Sequence, residues 1–198
     1  LLYKRIVDLI GGLVGSLILF LMYPIVAIAI KMDSEGPVIF KQKRVGQNGR
    51  VFNLFKFRSM YKDAEQRKQD LREKNQMNGA IFKLENDPRI TKIGAWLRKF
   101  SIDEFPQFLN VLKGEMSMVG TRPPTIDEVQ MYMPQHLRRI SAKPGITGLW
   151  QISGRNEIKD FEKIVELDCQ YLESWCFAND LKIIAKTLYV VLKRKGAI

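Results

Sequence analysis

The hydrophobic pattern divides this chain sharply in two. From Ile6 to Ile30 it reads IVDLIGGLVGSLILFLMYPIVAIAI, 25 residues with Asp8 as the one charge, flanked by Lys4 and Arg5 before and Lys31 after. A helix of that length can cross a bilayer. Pro24 inside the run removes a backbone donor and bends or breaks a helix. Basic residues on both flanks also lack the one-sided excess of a crossing segment. A kinked span and a hairpin that enters and leaves on one face both fit. The run is too long for a signal peptide, and no small-residue cleavage site follows it. Beyond Gly36-Pro37, residues 38–40 and 51–58 read as strands, joined by Gly46-Gln47-Asn48-Gly49, whose Asn-Gly pair favours a tight hairpin turn. Alternation puts Phe55 and Phe57 on one strand face and Lys56 and Arg58 on the other. The nearly all-polar stretch 61–76 predicts an exposed helix. Ile93, Trp96, Leu97 and Phe100 recur at helical spacing, as do Phe105, Phe108, Leu109 and Leu112 up to a stop at Gly114. From Asp180 to Lys195, Leu181, Ile184, Leu188 and Val191 form a stripe among Lys182, Lys186, Lys193, Arg194 and Lys195. That is either a helix on a membrane interface or a core helix with a basic rim.

Charge sharpens the division. Of a net +11, residues 1–31 hold three cations against Asp8, so +9 falls on the remainder, which is sized for one globular domain. Such a surface suits phosphate-bearing partners, and beside an apolar run it belongs on the cytoplasmic side. Anionic lipid and phosphorylated substrates fit better than nucleic acid, for which no reading motif is present. Cys169 and Cys176 have no zinc or redox spacing and read as buried thiols in a reducing compartment. A single histidine, His136, excludes His-based metal clusters and argues against a Ser-His-Asp triad. No GxGxxG or Walker loop is present. The chain begins at Leu1 rather than Met, which reads as a piece of something longer.

The residues with chemistry to offer lie in four places. Ser101-Ile102-Asp103-Glu104 falls between two amphipathic helices. Ser101 and Glu104 have capping-box spacing, with Asp103 favouring the positive end of the helix dipole. The same placement keeps a carboxylate ionised, ready to act as a nucleophile at phosphorus or a magnesium ligand. Both readings stand on local sequence. Arg98 lies just upstream. Arg122, followed by Pro123-Pro124, sits on a loop the prolines stiffen, and a rigid guanidinium holds phosphate oxygens well. Lys56 and Arg58 form either a solvated strand face or a phosphate clamp. The glycine-rich stretch from Lys143-Pro144-Gly145 through Trp150 to Ser153-Gly154-Arg155 reads equally as a ligand cradle or as turns.

Together, SEGPVIFKQKRVGQNGRVFNLFKFRSM, NDPRITKIGAWLRKFSIDEFPQFLNVLKGEMSMVGTRPP and KPGITGLWQISGRNEI with LDCQYLESW resemble the bacterial sugar transferases, the monotopic phosphoglycosyl transferases. The likeness runs over essentially the whole chain and is greatest to the capsular and exopolysaccharide undecaprenyl-phosphate glucose and galactose phosphotransferases. It implies an α+β fold: a re-entrant membrane helix hairpin over 1–31, and a cytoplasmic, mostly helical catalytic domain over 32–198 with a small β-hairpin and amphipathic interfacial helices. It implies transfer of a sugar 1-phosphate, glucose foremost, from a UDP-sugar to undecaprenyl phosphate through a phosphosugar-aspartyl intermediate, with Mg²⁺. UDP-galactose, an N-acetylated donor and a non-catalytic anchored basic module are the alternatives. Carried over, Asp103 is the nucleophile, Glu104 assists with metal or proton, and both are metal ligands. Lys56, Arg58, Arg98 and Arg122 hold substrate phosphate, and Trp150 and Arg155 belong to a nucleotide or sugar region. The implied place is the cytoplasmic face of a bacterial inner membrane, among membrane lipids, with a homo-oligomer possible and no nucleic acid partner. Three departures from the family pattern stand out: Ile102 for Leu, Thr121 for the first proline of Pro-Arg-Pro, and Tyr23-Pro24 at the membrane break instead of Ser-Pro.

Overall fold

A computed structural model gives the fold for residues 2–71, 73, 75–82, 84, 86–154 and 158–193. The first element, α1 (Leu2–Asp33), runs without interruption through Pro24, where a break was expected. Proline in a helix interior costs about 3 kcal/mol. Here Leu19 and Val26, on either side of it, are both buried in one core cluster that holds the two halves to the same scaffold. The inward face of α1 is Asp8, Gly12, Gly15, Leu19, Val26 and Ile30, at helical spacing. Its outward face, from Leu2 and Leu13 to Phe20, Ile25 and Met32, is exposed and apolar.

Next come β1 (Ile39–Val45) and β2 (Val51–Phe57), an antiparallel hairpin in register from Ile39 opposite Phe57 to Val45 opposite Val51. Asn48 (φ 54°) and Gly49 (φ 81°) make its turn, a pair suited to left-handed backbone. The polar stretch yields only a short α2 (Ala64–Asp70). Then follow α3 (Lys92–Lys99) and α4 (Gln107–Lys113), the latter stopped by Gly114 at φ 79° as its sequence predicts. A parallel pair, β3 (Ser117–Val119) with β4 (Gly145–Thr147), brackets α5 (Ile126–Gln130). The chain closes with α6 (Leu149–Ile152), α7 (Phe161–Glu173) and α8 (Phe177–Lys193).

The core is built around α1 rather than beside it. Leu19, Val26 and Ile30 pack with Phe57 of β2 and Leu97 of α3. Gly15 lets α4 approach so closely that an added Cβ would sit 2.3 Å from the Phe108 ring. Polar contacts tie both ends of α1 to the domain. Lys4 donates to Asp180 (2.7 Å) and to the Val119 carbonyl (2.9 Å). Arg5 donates to the last carbonyls of α4, at Val111 and Leu112. Asp8 accepts from Ser117 (2.7 Å) and the Met118 amide (2.8 Å), which accounts for a charge inside an apolar run. At the far end Asp33 accepts from the Ile93 amide at 2.9 Å.

Two local expectations, for Trp96 and the cysteines, are corrected, and two open readings, for α8 and the glycine-rich stretch, are narrowed. Trp96 is 51% exposed, because α3 buries Leu97 and Gly94 instead. On α8 the buried positions are Asp180 and Ile183, while Leu181 and Leu188 are exposed; Arg194 and Lys195 lie outside the described residues. Cys176 is exposed and Cys169 only half-buried. The glycine-rich stretch is scaffold at Gly145, where a Cβ would meet the Gly120 amide nitrogen at 2.1 Å, so the two strands need bare backbone there.

Candidate active site

Thr91 caps α3, accepting from the Gly94 amide at 2.9 Å, and the helix runs out at Phe100. Ser101 then takes a left-handed conformation (φ 55°, ψ 22°), and residues 102–104 form a single 3-10 turn before α4. That conformation, uncommon for a residue with a side chain, leaves no side-chain cap from Ser101. The capping box expected here is not formed; a capping box forms at Thr125 and Glu128 of α5. Asp103 is only 6% exposed. Glu104 bonds Lys56 at 3.1 Å between its Oε1 and the lysine Nζ. Ile102 and Phe105, which flank the two carboxylates, pack on the cluster that holds Leu19, Val26 and Ile30, so the acidic turn is fastened directly to the apolar helix.

Lys56 opens onto a cleft of about 520 Å³ that Arg98 and Arg122 also line, together with Arg44 and Arg89. Arg98 donates from Nε to Ser59 at 2.9 Å. Burial pulls its pKa below the usual guanidinium range, against the opposing pull of Asp103 and Asp87. Arg122 is pinned on both sides along the chain. Thr121 bridges to Pro144, and Thr125 bridges to Arg44, so the proline loop is stitched between two other segments. Its guanidinium grips Glu128 with two bonds, 2.9 and 3.2 Å. Burial alone would lower the Arg122 pKa, but this ion pair more than offsets it and raises it.

The structure thus joins Glu104 to Lys56 and puts Asp103 within electrostatic reach of Arg98, while Lys56, Arg98 and Arg122 share the cleft, whose lining includes neither carboxylate. Arg58 reaches the cleft wall but is otherwise engaged. Its guanidinium donates to the Ser34 carbonyl (2.7 Å), to the Glu35 carbonyl and to the Ile30 carbonyl (3.4 Å), which caps the C-terminal end of α1. It is a structural fastener, because four orphan carbonyls at a buried helix end need donors. Trp150 sits in a core cluster with Met77, Phe161 and Ile164 and does not line the cleft. Arg155 lies outside the described residues. Sequence reasoning missed Arg44 and Glu128. The signal for Arg44 was present in β1, where Lys41 and Lys43 alternate outward and leave Gln42 and Arg44 on the less exposed face.

No group of three or more His, Cys, Asp or Glu suited to a metal occurs among the described residues. Asp103 and Glu104 offer two adjacent carboxylates, one of them bonded to Lys56, and Mg²⁺ is commonly held by one or two carboxylates plus substrate phosphates rather than by an all-protein cage.

The fold is thus a long apolar helix with an acidic turn packed on it, beside a cleft lined by Lys56 and four arginines besides Arg58. The chain belongs to the bacterial sugar transferase family, whose pattern matches residues 1–194. It is 58% identical over 197 residues to the galactosyl transferase CpsE of Streptococcus agalactiae serotype III, covering 100% of this chain and 44% of that protein. It is 45% identical over 166 residues to the undecaprenyl-phosphate galactose phosphotransferase of Salmonella typhimurium (82% and 35% covered). To the undecaprenyl-phosphate glucose phosphotransferase of Komagataeibacter xylinus it is 42% identical over 198 residues (95% and 35% covered). The chain therefore spans less than half the length of these three relatives.

Proposed function

We propose that this chain transfers a hexose 1-phosphate from a UDP-sugar to undecaprenyl phosphate, releasing UMP and starting a capsule or exopolysaccharide repeat unit. The observation that carries the reading is the Asp103–Glu104 turn, packed on α1, with Glu104 bonded to Lys56 and Asp103 in electrostatic reach of Arg98, two cations that share their cleft with Arg122. The names of the relatives support both galactose and glucose as the sugar, so the expectation of glucose widens to include its epimer.

In this reading a carboxylate oxygen of Asp103 attacks the sugar-side phosphorus of the donor. The bond from that phosphorus to the bridging oxygen breaks, and its electron pair leaves with UMP. An oxygen of the lipid phosphate then attacks the same phosphorus, the bond to Asp103 breaks, and the carboxylate is restored with undecaprenyl-diphosphate-sugar as product. Lys56, Arg98 and Arg122 neutralise the diphosphate, without which a carboxylate could not approach it. Mg²⁺ held by Asp103 and Glu104 would add to that neutralisation when bound.

The same reading keeps both ends of α1 on one face of the membrane without the hairpin break that was expected, with residues 1–31 as the membrane element and 32–198 as a catalytic domain on the cytoplasmic face of a bacterial inner membrane. Its support is that buried positions run from Asp8 to Ile30, about 33 Å of helix at 1.5 Å per residue. A perpendicular span would drag the basic domain packed along it through a hydrocarbon core about 30 Å thick. After both native cysteines are replaced by serine, Leu2→Cys and Met32→Cys should be labelled by a membrane-impermeant maleimide from the same face of sealed vesicles. Labelling from opposite faces would make α1 a span.

The reaction itself is tested by UMP release from full-length chain in lipid, given undecaprenyl phosphate, Mg²⁺ and UDP-glucose, UDP-galactose or an N-acetylated UDP-hexose in turn. Release with one hexose donor is expected. Folded protein that releases UMP with none of them would leave an anchored anion-binding module as the better reading.

A further inference from the structure

Charge is balanced unevenly around the cleft. On one wall Arg89 meets Asp87 one to one, with its Nε and Nη2 on the carboxylate at 2.5–3.1 Å. On the other wall two guanidiniums share one carboxylate. Arg122 takes both oxygens of Glu128, and Arg44 is left with Nη1 at 4.0 Å from Oε2. The remaining partners of Arg44 are neutral: the Pro123 carbonyl (2.9 Å) and the Gln42 side-chain oxygen (2.7 and 3.1 Å). These three charged side chains are 11% (Arg44), 21% (Arg122) and 8% (Glu128) exposed, so water does little to screen the surplus positive charge. Burial, and then the charge of Arg122, lower the Arg44 pKa to about 10. Glu128 is not free to supply more. Its Oε2 also accepts from the Thr125 amide at 3.0 Å as part of the α5 capping box. All three side chains line the cleft that Lys56 and Arg98 line, and Arg44 lies within electrostatic reach of Glu65, on the same cleft, and of Glu104.

We propose that Arg44 joins Arg122 as a second phosphate subsite of this cleft, built for a phosphate monoester, with Glu128 as the counter-ion that holds the two guanidiniums in place until the monoester arrives. The proposal rests on the transfer reading above for the identity of its occupant. In-line displacement sets the leaving oxygen opposite the Asp103 oxygen, and the lipid phosphate enters along the path by which UMP left. One subsite therefore takes the phosphate of UMP in the first step and that of the lipid in the second. Two forked guanidiniums suit that dianion better than point charges do.

Binding to the full-length chain in lipid nanodiscs tests this apart from turnover, with UMP, uridine and inorganic pyrophosphate as probes. Arg44→Gln should weaken UMP at least tenfold and leave uridine unchanged. Arg44→Lys should fall between the two. Glu128→Gln keeps the capping hydrogen bonds, since glutamine also serves at that position, and should tighten UMP several-fold by removing the competing carboxylate. Unchanged UMP affinity in Arg44→Gln, or equal losses for UMP and uridine, overturns the subsite; so does weaker UMP binding in Glu128→Gln. Arg44-dependent pyrophosphate binding without any UMP binding by the parent keeps the subsite and overturns its nucleotide occupant.

Discussion

Asp103→Asn is expected to abolish UMP release, by roughly 10³-fold or more, as removal of a covalent nucleophile does. The substitution is nearly isosteric in a side chain 6% exposed, so the protein should fold normally. The sharper readout needs no lipid acceptor. If Asp103 forms a phosphosugar intermediate, the parent will exchange labelled UMP into UDP-sugar with undecaprenyl phosphate absent, and Asp103→Asn will not. Exchange that persists in the variant would remove Asp103 from the nucleophile role, whatever happens to overall turnover. Glu104→Gln separates the two carboxylates. It breaks the ion pair with Lys56 but leaves the nucleophile, so it should slow exchange without erasing it.

If Asp103 is the nucleophile, its position makes the apolar helix α1 part of the catalytic unit. Ile102 and Phe105 grip Leu19, Val26 and Ile30, and Arg58 caps the end of α1 one strand turn from Lys56. A change in how α1 sits therefore reaches the acidic turn and the cleft through packed contacts. In the proposed reaction a soluble nucleotide and a lipid phosphate would meet at one carboxylate because that carboxylate is packed on the long apolar helix.

Local features of this architecture were readable in the sequence, and nonlocal ones were not. The Asn48-Gly49 turn and the stop at Gly114 depend on residues within one turn, and each came out as expected; burial in β2 alternates only as far as Leu54, with Phe55 and Lys56 both half-buried. The β3–β4 pair joins two three-residue strands far apart in the chain, with no periodicity long enough to see. The capping role of Arg58 was not legible, because nothing local reveals that α1 ends where its guanidinium points. The capping box moved for a similar reason. Ser101 and Glu104 have the right spacing, yet the backbone turns left-handed at Ser101 to swing Asp103 inward, and Thr125 with Glu128 forms the box. The acidic turn and the cations Lys56, Arg98 and Arg122 were legible as residues; the resemblance, not spacing, is what grouped them.

Arg139→Met should be the most damaging change outside the cleft. Arg139 and Asp168 are 0% and 1% exposed and meet at 2.7–2.8 Å. Arg139 also donates to the Tyr132 hydroxyl at 2.6 Å, and its carbonyl accepts from Thr121, next to Arg122. Removing one partner of a buried pair strands the other charge and costs about 3–5 kcal/mol, whereas replacing both by apolar groups is often neutral. Arg139→Met with Asp168→Leu should therefore recover most of the loss. The pH dependence carries a sign. Burial already pushes the Asp168 carboxyl above its ordinary value, against the pull of Arg139 and Arg122. Between the ordinary and the raised value the folded state keeps a proton that the unfolded state has lost, so this group favours folding less as pH rises through that window. Without Arg139 the window extends upward, and the deficit of Arg139→Met against the parent should be smaller at pH 5 than at pH 8 in thermal denaturation followed by fluorescence. Equal deficits at both pH values, or a double variant no more stable than the single one, would show that the pair is not a buried ion pair. Because Thr121 hangs on the Arg139 carbonyl, a main-chain bond that methionine can keep, the folded fraction of the single variant at low temperature should keep the parent's KM for donor.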